Sequence, residues 1–258
     1  MRVDLIQLEL PEDETPARRL ERVGELLNRC QGADLVLLPE LWLPGYLSFS
    51  AYGTSATPVP GPLTAELGRL ALAGRFHLLA GSLVEKTPTG LFNTALLFSP
   101  GGEVRASYRK VHLFGRHGSE EAELLAAGTH HGSAALPEGN LGLAICYDLR
   151  FPESFRLPTG PGPEAWAVVA AWPGSRLHDW EVLLRARAIE NQAFLIGCNA
   201  ARPFGGGSRV IDPHGRILAL AGSGEEILSA EIHLSEATAL RSQFPVWADR
   251  RPYPEASS

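Results

Sequence analysis

Short apolar runs alternate along this chain with longer segments in which apolar residues recur every three or four positions. The runs Val3–Leu8, Asp34–Leu38 and Phe194–Asn199 are typical of β-strands, and the last two are apolar enough to favour strands covered on both faces. The segments Glu12–Cys30 and His178–Asn191 keep large apolar residues on one face, which predicts amphipathic helices. We therefore expect an α/β protein.

The middle of the chain predicts strands with no helix between them. A helix at Gly61–Gly74 is followed by the strands Phe76–Val84, Leu91–Ser99 and Val104–Val111, which are joined by turns rich in glycine and proline. Such a meander requires antiparallel pairing, so it favours a sheet-rich α/β sandwich over a doubly wound fold. The remaining predicted elements are helices at Phe151–Leu157 and Leu234–Arg241 and strands at Trp166–Ala171, Ser208–Ile211, Arg216–Leu220 and Ile227–Ile232.

No linker divides the chain, since the proline- and glycine-rich loop 158–163 is too short to separate domains. We therefore expect a single domain over residues 1–258. The tail 244–258 holds aromatic residues and prolines, and an extended tail of this kind often packs on a neighbouring copy. This composition predicts a homo-oligomer.

Composition excludes several classes of function. The net charge of −6 and the lack of a basic block argue against nucleic acid as a partner. No apolar run reaches the roughly 18 residues needed to span a membrane, and three cysteines do not make a disulfide framework. These features predict a cytoplasmic protein. The histidines lack metal-ligand spacing and no phosphate-binding glycine motif is present, so we expect neither a metal nor an organic cofactor.

The stretch Gly142–Phe151 is the strongest candidate for chemistry. Its apolar first half predicts a buried strand that ends at Cys146, and Pro152 just beyond indicates a helix start. A cysteine at such a turn is held rigidly, and the backbone N–H groups that follow it can receive developing negative charge. Because most free cysteines are buried core residues, the local sequence leaves a catalytic and a structural Cys146 as equal alternatives.

Glu40 and Lys110 lie at two other predicted strand ends. Glu40 follows a buried strand beside aromatic residues, which suits a general base, although a carboxylate that caps the next turn is an equal alternative. Lys110 is one of only two lysines among 23 lysine and arginine residues, and the other, Lys86, lies in a predicted hairpin turn. A thiolate nucleophile, a carboxylate base and an ammonium that stabilises an oxyanion are chemically complementary.

Histidine is the usual partner of a catalytic cysteine, and this alternative stays open. His112 or His178 could take that part in a Cys–His hydrolase. The acidic segment Gly115–Gly128 lies between Lys110 and Cys146 in sequence, and it either covers the site or forms a solvated surface turn.

A set of segments spread over nearly the whole chain carries a resemblance to a known family: Leu37–Glu40, Tyr108–Phe114, Gly142–Phe151, His178–Gln192 and Gly207–Gly215. In this order they resemble the nitrilase superfamily of carbon–nitrogen hydrolases. The resemblance implies a four-layer α-β-β-α sandwich that commonly pairs into larger oligomers, here a homodimer. The loop 158–163 has no clear counterpart in the family.

The resemblance also implies a set of catalytic residues. Glu40 would be the general base, Lys110 the oxyanion stabiliser and Cys146 the nucleophile, with the Tyr147 backbone N–H as a second oxyanion donor. The implied reaction is hydrolysis of a linear, non-peptide amide through a cysteine thioester, with release of ammonia.

The family uses a second glutamate in the loop before the cysteine strand. Glu121 fits that place best, and Glu120 and Glu123 are neighbouring alternatives.

Within the superfamily, the segments Cys146–Pro152, Ala171–Pro173 and Arg185–Gln192 resemble the ω-amidase branch, which hydrolyses ω-amides of 2-oxo dicarboxylic acids such as 2-oxoglutaramate. The deaminated glutathione amidase branch shares much of this pattern. Arg150 is expected to clamp the distal carboxylate of the substrate, or else to pair with Asp148 or a glutamate.

Trp172 is expected to form an apolar wall of the pocket or to pack in the core. Two alternatives of other kinds stay open: hydrolysis of nitriles, and a catalytically silent binding or scaffold module on the same fold.

Overall fold

The computed structural model describes residues 1–115, 121–156 and 160–251. The strands are β1 (Arg2–Gln7), β2 (Leu35–Leu37), β3 (His77–Thr87), β4 (Gly90–Phe98), β5 (Val104–Arg109), β6 (Gly132–Leu136), β7 (Gly139–Ile145), β8 (Ala165–Ala170), β9 (Phe194–Asn199), β10 (Arg209–Ile211), β11 (Ile217–Leu220) and β12 (Glu226–Glu231). The α-helices are α1 (Pro16–Asn28), α2 (Tyr52–Ser55), α3 (Pro62–Gly74), α4 (Glu121–Leu124), α5 (Leu177–Asn191) and α6 (Ser235–Gln243). Short 3-10 helices lie at Phe49–Ala51, Cys146–Arg150, Pro152–Phe155 and Gly174–Arg176.

The strands form two six-stranded sheets. The first has the order β12-β1-β2-β3-β4-β5, and the second has the order β11-β10-β9-β8-β7-β6. In the first sheet β1, β2 and β3 run parallel, and β3, β4 and β5 form the antiparallel meander that the sequence predicts. In the second sheet β7, β8 and β9 run parallel.

Alternating side chains of β9 show how the layers are stacked. The Cys198 thiol lies 3.5 Å from the Ile6 carbonyl oxygen and 3.6 Å from that of Leu37, so this face of the second sheet contacts the first sheet. The neighbouring Gly197 faces the opposite way, and a Cβ built on it would lie 2.7 Å from atoms of Trp180 and Leu184 of α5. Helix α5 therefore covers the outer face of the second sheet.

The outer face of the first sheet packs on α1 and α3. Val23 of α1 and Leu67 of α3 share a core with Ile6, Val36 and Leu78 of the sheet, and all of them are nearly inaccessible to solvent. The order of layers is helix, sheet, sheet, helix, which confirms the predicted α-β-β-α sandwich.

Two predictions of local structure were wrong. Within the range Phe151–Leu157, where a helix was expected, the described residues form a single 3-10 turn at Pro152–Phe155, because Phe151 and Arg156 on either side of it are extended. Leu157 lies outside the described residues. Strand β6 was missed because its sequence, GSAAL, lacks β-branched residues, and pairing with β7 holds it in the sheet.

Among the helices formed by the described ranges, none is both long and apolar enough to cross a bilayer. Residues 157–159 and 252–258 lie outside the described ranges, and with them part of the loop 158–163 and most of the tail after Arg250. The described part of the tail leaves Phe244 and Trp247 exposed.

Candidate active site

Three strand ends bring the sequence-predicted residues together. Glu40 follows β2 and Lys110 follows β5, both in the first sheet, whereas Cys146 follows β7 in the second sheet. The Glu40 backbone N–H donates to the Ala170 carbonyl oxygen (3.4 Å), so the two sheets are hydrogen-bonded to each other beside the site.

Cys146 lies at a sharp change of backbone direction. It is the first residue after β7 and adopts a φ of +45°, in the left-handed region that non-glycine residues rarely occupy. Its side chain is 8 % exposed and lies in the wall of a cavity of about 260 Å³. Strained backbone of this kind recurs at catalytic turns, where the surrounding structure holds the side chain in one direction.

Lys110 makes contact with two carboxylates in a fully buried cluster. Its Nζ lies 2.7 Å from Oε1 of Glu40, and 2.9 and 3.0 Å from the two carboxylate oxygens of Glu121. All three side chains have no solvent exposure. The structure thus places Glu121 in the cluster, whereas Glu123 is exposed and Glu120 lies outside the described residues.

The two carboxylates differ in how fully they are hydrogen-bonded. Both Oε atoms of Glu121 accept hydrogen bonds, from Asn93 and Lys110 and from the Tyr46 hydroxyl and the Phe114 backbone N–H. Oε1 of Glu40 accepts from Asn93 (2.9 Å) and Lys110, its Oε2 accepts the Ala171 backbone N–H (3.0 Å), and the Cys146 thiol is a further hydrogen-bond partner of this carboxylate. The Glu40 carboxylate is therefore in place to take the proton of that thiol.

The pKa values of Glu40, Lys110 and Cys146 are all raised in the cluster, by burial or by the neighbouring charges. Burial raises the pKa of Glu40, and the nearby Lys110 ammonium only partly offsets this effect. Burial disfavours the Lys110 ammonium too, but Glu40 and Glu121 outweigh it and hold the Lys110 pKa well above its usual value. Burial and the Glu40 carboxylate raise the pKa of the Cys146 thiol, against the attraction of Lys110.

This arrangement favours proton transfer from the thiol to Glu40. Two carboxylates and one ammonium give the cluster a net charge of −1 when Cys146 is a thiol. Loss of the thiol proton to water would change the net charge of this buried cluster to −2, whereas transfer of the proton to Glu40 leaves the net charge at −1. The raised pKa of Glu40 makes it the acceptor suited to that proton.

Of the two histidines in the Cys–His alternative, His112 has Asp148 as its partner and His178 is exposed. His112 Nδ1 lies 2.9 Å from Asp148 Oδ1, and its ring stacks on Phe151 with centroids 3.7 Å apart. Among the described residues, burial and then the charges of Glu40 and Lys110 have the largest effects on the pKa of the Cys146 thiol.

Asp148 instead joins the two loops that carry Lys110 and Cys146. Its fully buried carboxylate accepts from the Tyr108 hydroxyl (2.8 Å), the His112 backbone N–H (3.0 Å) and the Ile145 backbone N–H (3.0 Å). Tyr108 and His112 flank Lys110 in sequence, and Ile145 precedes Cys146. One side chain therefore fixes the position of both loops.

The cavity above Cys146 has aromatic walls and a basic mouth. Tyr147, Trp172 and Phe114 contribute rings to the wall, and Arg150 and Arg176 contribute guanidinium groups. The Trp172 ring lines the cavity, is 2 % exposed and lies against the Trp180 ring.

Arg150 lines the cavity but already has a carboxylate partner. Its Nη2 donates to Asp179 Oδ2 at 2.8 Å, and its guanidinium carbon lies 4.9 Å from the centre of the Trp172 ring. An ion pair with Asp148 was one expectation, and it is wrong, since Asp148 binds Tyr108 and His112 instead.

Sequence reasoning missed three residues of the site: Asn93, Tyr46 and Asp148. An asparagine inside the apolar strand β4, where an unpaired amide would be costly to bury, was a signal that could have pointed to the cluster. Among residues 1–115, 121–156 and 160–251, no group of three or more histidine, cysteine, aspartate or glutamate side chains is placed to hold a metal ion.

Comparison with known proteins agrees with this geometry. A curated relative in Paenarthrobacter nicotinovorans, named 2-oxoglutaramate amidase, is 36% identical over 262 residues, covering 96% of this chain and 89% of its own. The mouse protein Omega-amidase NIT2 is 32% identical over 274 residues, covering 97% and 95%. The crystal structure of Nit3 from Saccharomyces cerevisiae, described as a member of branch 10 of the nitrilase superfamily, superposes with a TM-score of 0.87 at 30% identity, covering 97% and 96%. The carbon-nitrogen hydrolase family model matches residues 2–242, and the chain belongs to this family of the nitrilase superfamily.

Proposed function

We propose that this chain is an ω-amidase, which hydrolyses the terminal amide of 2-oxo dicarboxylic acid monoamides such as 2-oxoglutaramate. The observation that carries the proposal is the contact of Lys110 with Glu40 and Glu121 beneath a cavity that holds both Cys146 and Arg150. The relatives named 2-oxoglutaramate amidase and Omega-amidase support the choice of substrate.

In the first half of the proposed reaction, the thiol proton of Cys146 passes to Glu40 Oε2 as Sγ bonds to the amide carbon. The carbonyl oxygen becomes an oxyanion, stabilised by the Lys110 ammonium and the Tyr147 backbone N–H. Glu40 then gives its proton to the amide nitrogen, the C–N bond breaks, and ammonia leaves a thioester on Cys146.

In the second half, water attacks the thioester carbon while Glu40 accepts a proton from it. The tetrahedral intermediate collapses, the C–S bond breaks, and the proton on Glu40 returns to the sulfur. The sum is one amide and one water converted to one carboxylic acid and one ammonia. Glu121 orients Lys110 without transferring a proton, since each of its oxygens already accepts two or more hydrogen bonds.

The substrate's far end supplies a carboxylate that matches Arg150. Its guanidinium is already oriented by Asp179 and by the Trp172 ring, so a carboxylate can bind it with little loss of side-chain entropy. The cavity of about 260 Å³ has room for a five-carbon amide.

Ammonia release from a panel of amides tests the proposal. The panel holds 2-oxoglutaramate, 2-oxosuccinamate, deaminated glutathione, glutamine, butyramide and a simple nitrile. We expect the 2-oxo amides to have the highest kcat/KM, and Cys146→Ala to release no ammonia above background. Preference for deaminated glutathione, or acid production from the nitrile alone, would move the protein to another branch of the family.

Thiol labelling separates an enzyme from a silent binding module. Iodoacetamide should alkylate Cys146, which is 8 % exposed in the cavity wall, before Cys30 and Cys198, which are 0 % exposed. Mass spectrometry of the labelled protein gives the site. Three thiols of equal and low reactivity would favour the module.

We further propose a cytoplasmic homodimer. Val182 and Ile189 of α5, Leu220 of β11 and Phe244 after α6 expose apolar side chains, and Gln192 Nε2 donates to the Phe244 carbonyl oxygen, so the end of α5 lies beside the tail. A second copy would bury this surface. Sedimentation velocity should give a dimer for the wild type and monomer for Ile189→Asp, and cell fractionation checks the location.

A further inference from the structure

The cavity wall and the cluster behind Cys146 carry opposite charge. The cluster of Glu40, Glu121 and Lys110, which forms the buried end of the site, sums to −1. At the mouth, the arginines Arg150 and Arg176 line the wall, and the acidic partner beside them is Asp179. An anionic group of a substrate is therefore attracted to the mouth and repelled from the buried end, which orients an ω-amide with its neutral amide toward Cys146.

The two arginines at the mouth are not equivalent. Arg150 is paired with Asp179 at 2.8 Å. Arg176 makes no ion pair within the part of the chain that the structure describes, and its guanidinium carbon lies 5.7 Å from the centre of the Phe114 ring, which also lines the cavity. The positive charge that Asp179 leaves unbalanced at the mouth therefore resides on Arg176.

We propose that Arg176 is a specificity-determining residue that recognises the 2-oxo acid end of the substrate together with Arg150. This inference rests on the proposed ω-amidase function. A 2-oxo acid presents three oxygens, two on the carboxylate and one on the neighbouring carbonyl. One guanidinium binds a carboxylate through two N–H groups, so the third oxygen needs a second donor. Arg176 supplies that donor to the 2-oxo oxygen.

Two kinds of amide are discriminated against in this arrangement. Glutaramate has a methylene where 2-oxoglutaramate has its carbonyl, so it leaves the Arg176 donor unused. Glutamine has an ammonium at the same carbon, and the unbalanced charge of Arg176 repels it. Butyramide has no charged end, so its hydrolysis reports on Cys146, Glu40 and Lys110 alone.

The experiment compares wild type, Arg176→Gln, Arg176→Lys and Arg69→Gln on 2-oxoglutaramate, glutaramate and butyramide. Arg69 is an exposed arginine on α3, paired with Glu66 outside the cavity, and serves as the matched control. Because Arg176 is exposed and its backbone carbonyl, not its side chain, accepts from the Trp172 indole, we expect Arg176→Gln to fold. Thermal unfolding of each variant checks this.

We expect Arg176→Gln to lower kcat/KM for 2-oxoglutaramate roughly 10- to 100-fold, the range for one hydrogen bond from a charged donor. The values for glutaramate and butyramide should fall much less, so the preference for the 2-oxo acid collapses. Arg176→Lys should lie between, since it keeps the charge but loses the planar fork.

Equal losses on all three amides, or no loss on 2-oxoglutaramate, would overturn the role of Arg176 while leaving the ω-amidase proposal intact. A wild type that does not prefer 2-oxoglutaramate to butyramide would instead overturn the proposed function, and this inference with it.

Discussion

Removing the buried ammonium by Lys110→Met should separate the stability of the site from its chemistry. Lys110 is fully buried between Glu40 and Glu121 and compensates both. Without it, two carboxylates that share the Asn93 amide group, at 2.9 and 3.0 Å, lose their cation. One of them must then take up a proton for the chain to fold.

The free energy needed to keep that proton bound sets the size of the expected loss in the free energy of unfolding. A glutamate has an ordinary pKa of 4.5, so at pH 7 keeping one protonated in the folded state costs about 3.4 kcal/mol relative to the unfolded chain. This agrees with the roughly 3–5 kcal/mol lost when one partner of a buried ion pair is removed. Because a raised folded-state pKa adds stability at low pH that is lost as pH rises, the penalty should shrink to about 1.4 kcal/mol at pH 5.5.

The assay is urea unfolding at both pH values, with ammonia release measured in parallel. Lys86→Met, the same change at the exposed lysine near the end of β3, is the matched control and should unfold like the wild type. The structure thus places Lys86 in the strand, not in the hairpin turn that the sequence predicts. The variant Lys110→Met should also lose roughly 100- to 1,000-fold in kcat, the usual effect of removing one oxyanion donor.

The double variant Lys110→Met/Glu121→Gln separates the effect of Lys110 on stability from its effect on catalysis. It restores the cluster charge of −1, so part of the lost free energy of unfolding should return. Recovery should be incomplete, because the attraction of Lys110 on the Glu40 carboxyl exceeds the repulsion by Glu121. Activity should stay low. Recovery of activity by the double variant, or a penalty for Lys110→Met that does not change between pH 5.5 and 7, would refute this reasoning.

Three further outcomes are expected. The acid limb of kcat/KM should lie above pH 4.5, because burial raises the pKa of Glu40 and the base must be ionised. Activity then falls as the pH drops through that raised pKa. An acid limb at or below pH 4.5 in a pH–rate profile would exclude Glu40 as the base. Asn93→Leu should shift this acid limb to higher pH and lower kcat roughly 10-fold, because it removes a hydrogen bond that favours the charged form of Glu40. A pH–rate profile identical to that of the wild type would show that Asn93 only fills space. Asp148→Asn should lower kcat more than it raises KM for butyramide, because it loosens the loops that carry Lys110 and Cys146. A change in KM alone would assign Asp148 to substrate binding instead.

Much of the fold was predictable because its signals are local. The apolar runs and the turns between them identify the strands of the meander and of the parallel segments, and each of the residues Glu40, Lys110 and Cys146 lies directly after such a run. Because β2 and β5 run in the same direction in the first sheet, Glu40 and Lys110 lie at the same edge of that sheet, whereas Cys146 meets them from the second sheet. The resemblance to the nitrilase superfamily supplied the sandwich, and the layer order confirms it.

The rest of the site depends on contacts between residues far apart in sequence. An ion pair of Arg150 with Asp148, two positions away, was one of the alternatives to a substrate clamp, but Asp148 accepts from Tyr108, which is 40 positions away. Arg150 pairs with Asp179, 29 positions away. The resemblance favours Glu121 among three neighbouring glutamates, and the folded chain adds that Glu121 is buried whereas Glu123 is exposed. No periodicity in the sequence reports such pairings.

The division of the site between two sheets has a mechanical consequence. The sulfur belongs to one sheet and its proposed proton acceptor to the other, and the Glu40 carboxylate reaches across to the Ala171 N–H at 3.0 Å. The separation of the reacting atoms is therefore set by how deeply the side chains between the sheets interlock. A larger side chain at Val168 or Leu37, remote from any substrate, would push the two sheets apart and lengthen the distance from Cys146 Sγ to the Glu40 carboxylate. Such variants would stay folded yet react slowly, so packing between the sheets controls the rate of the chemistry.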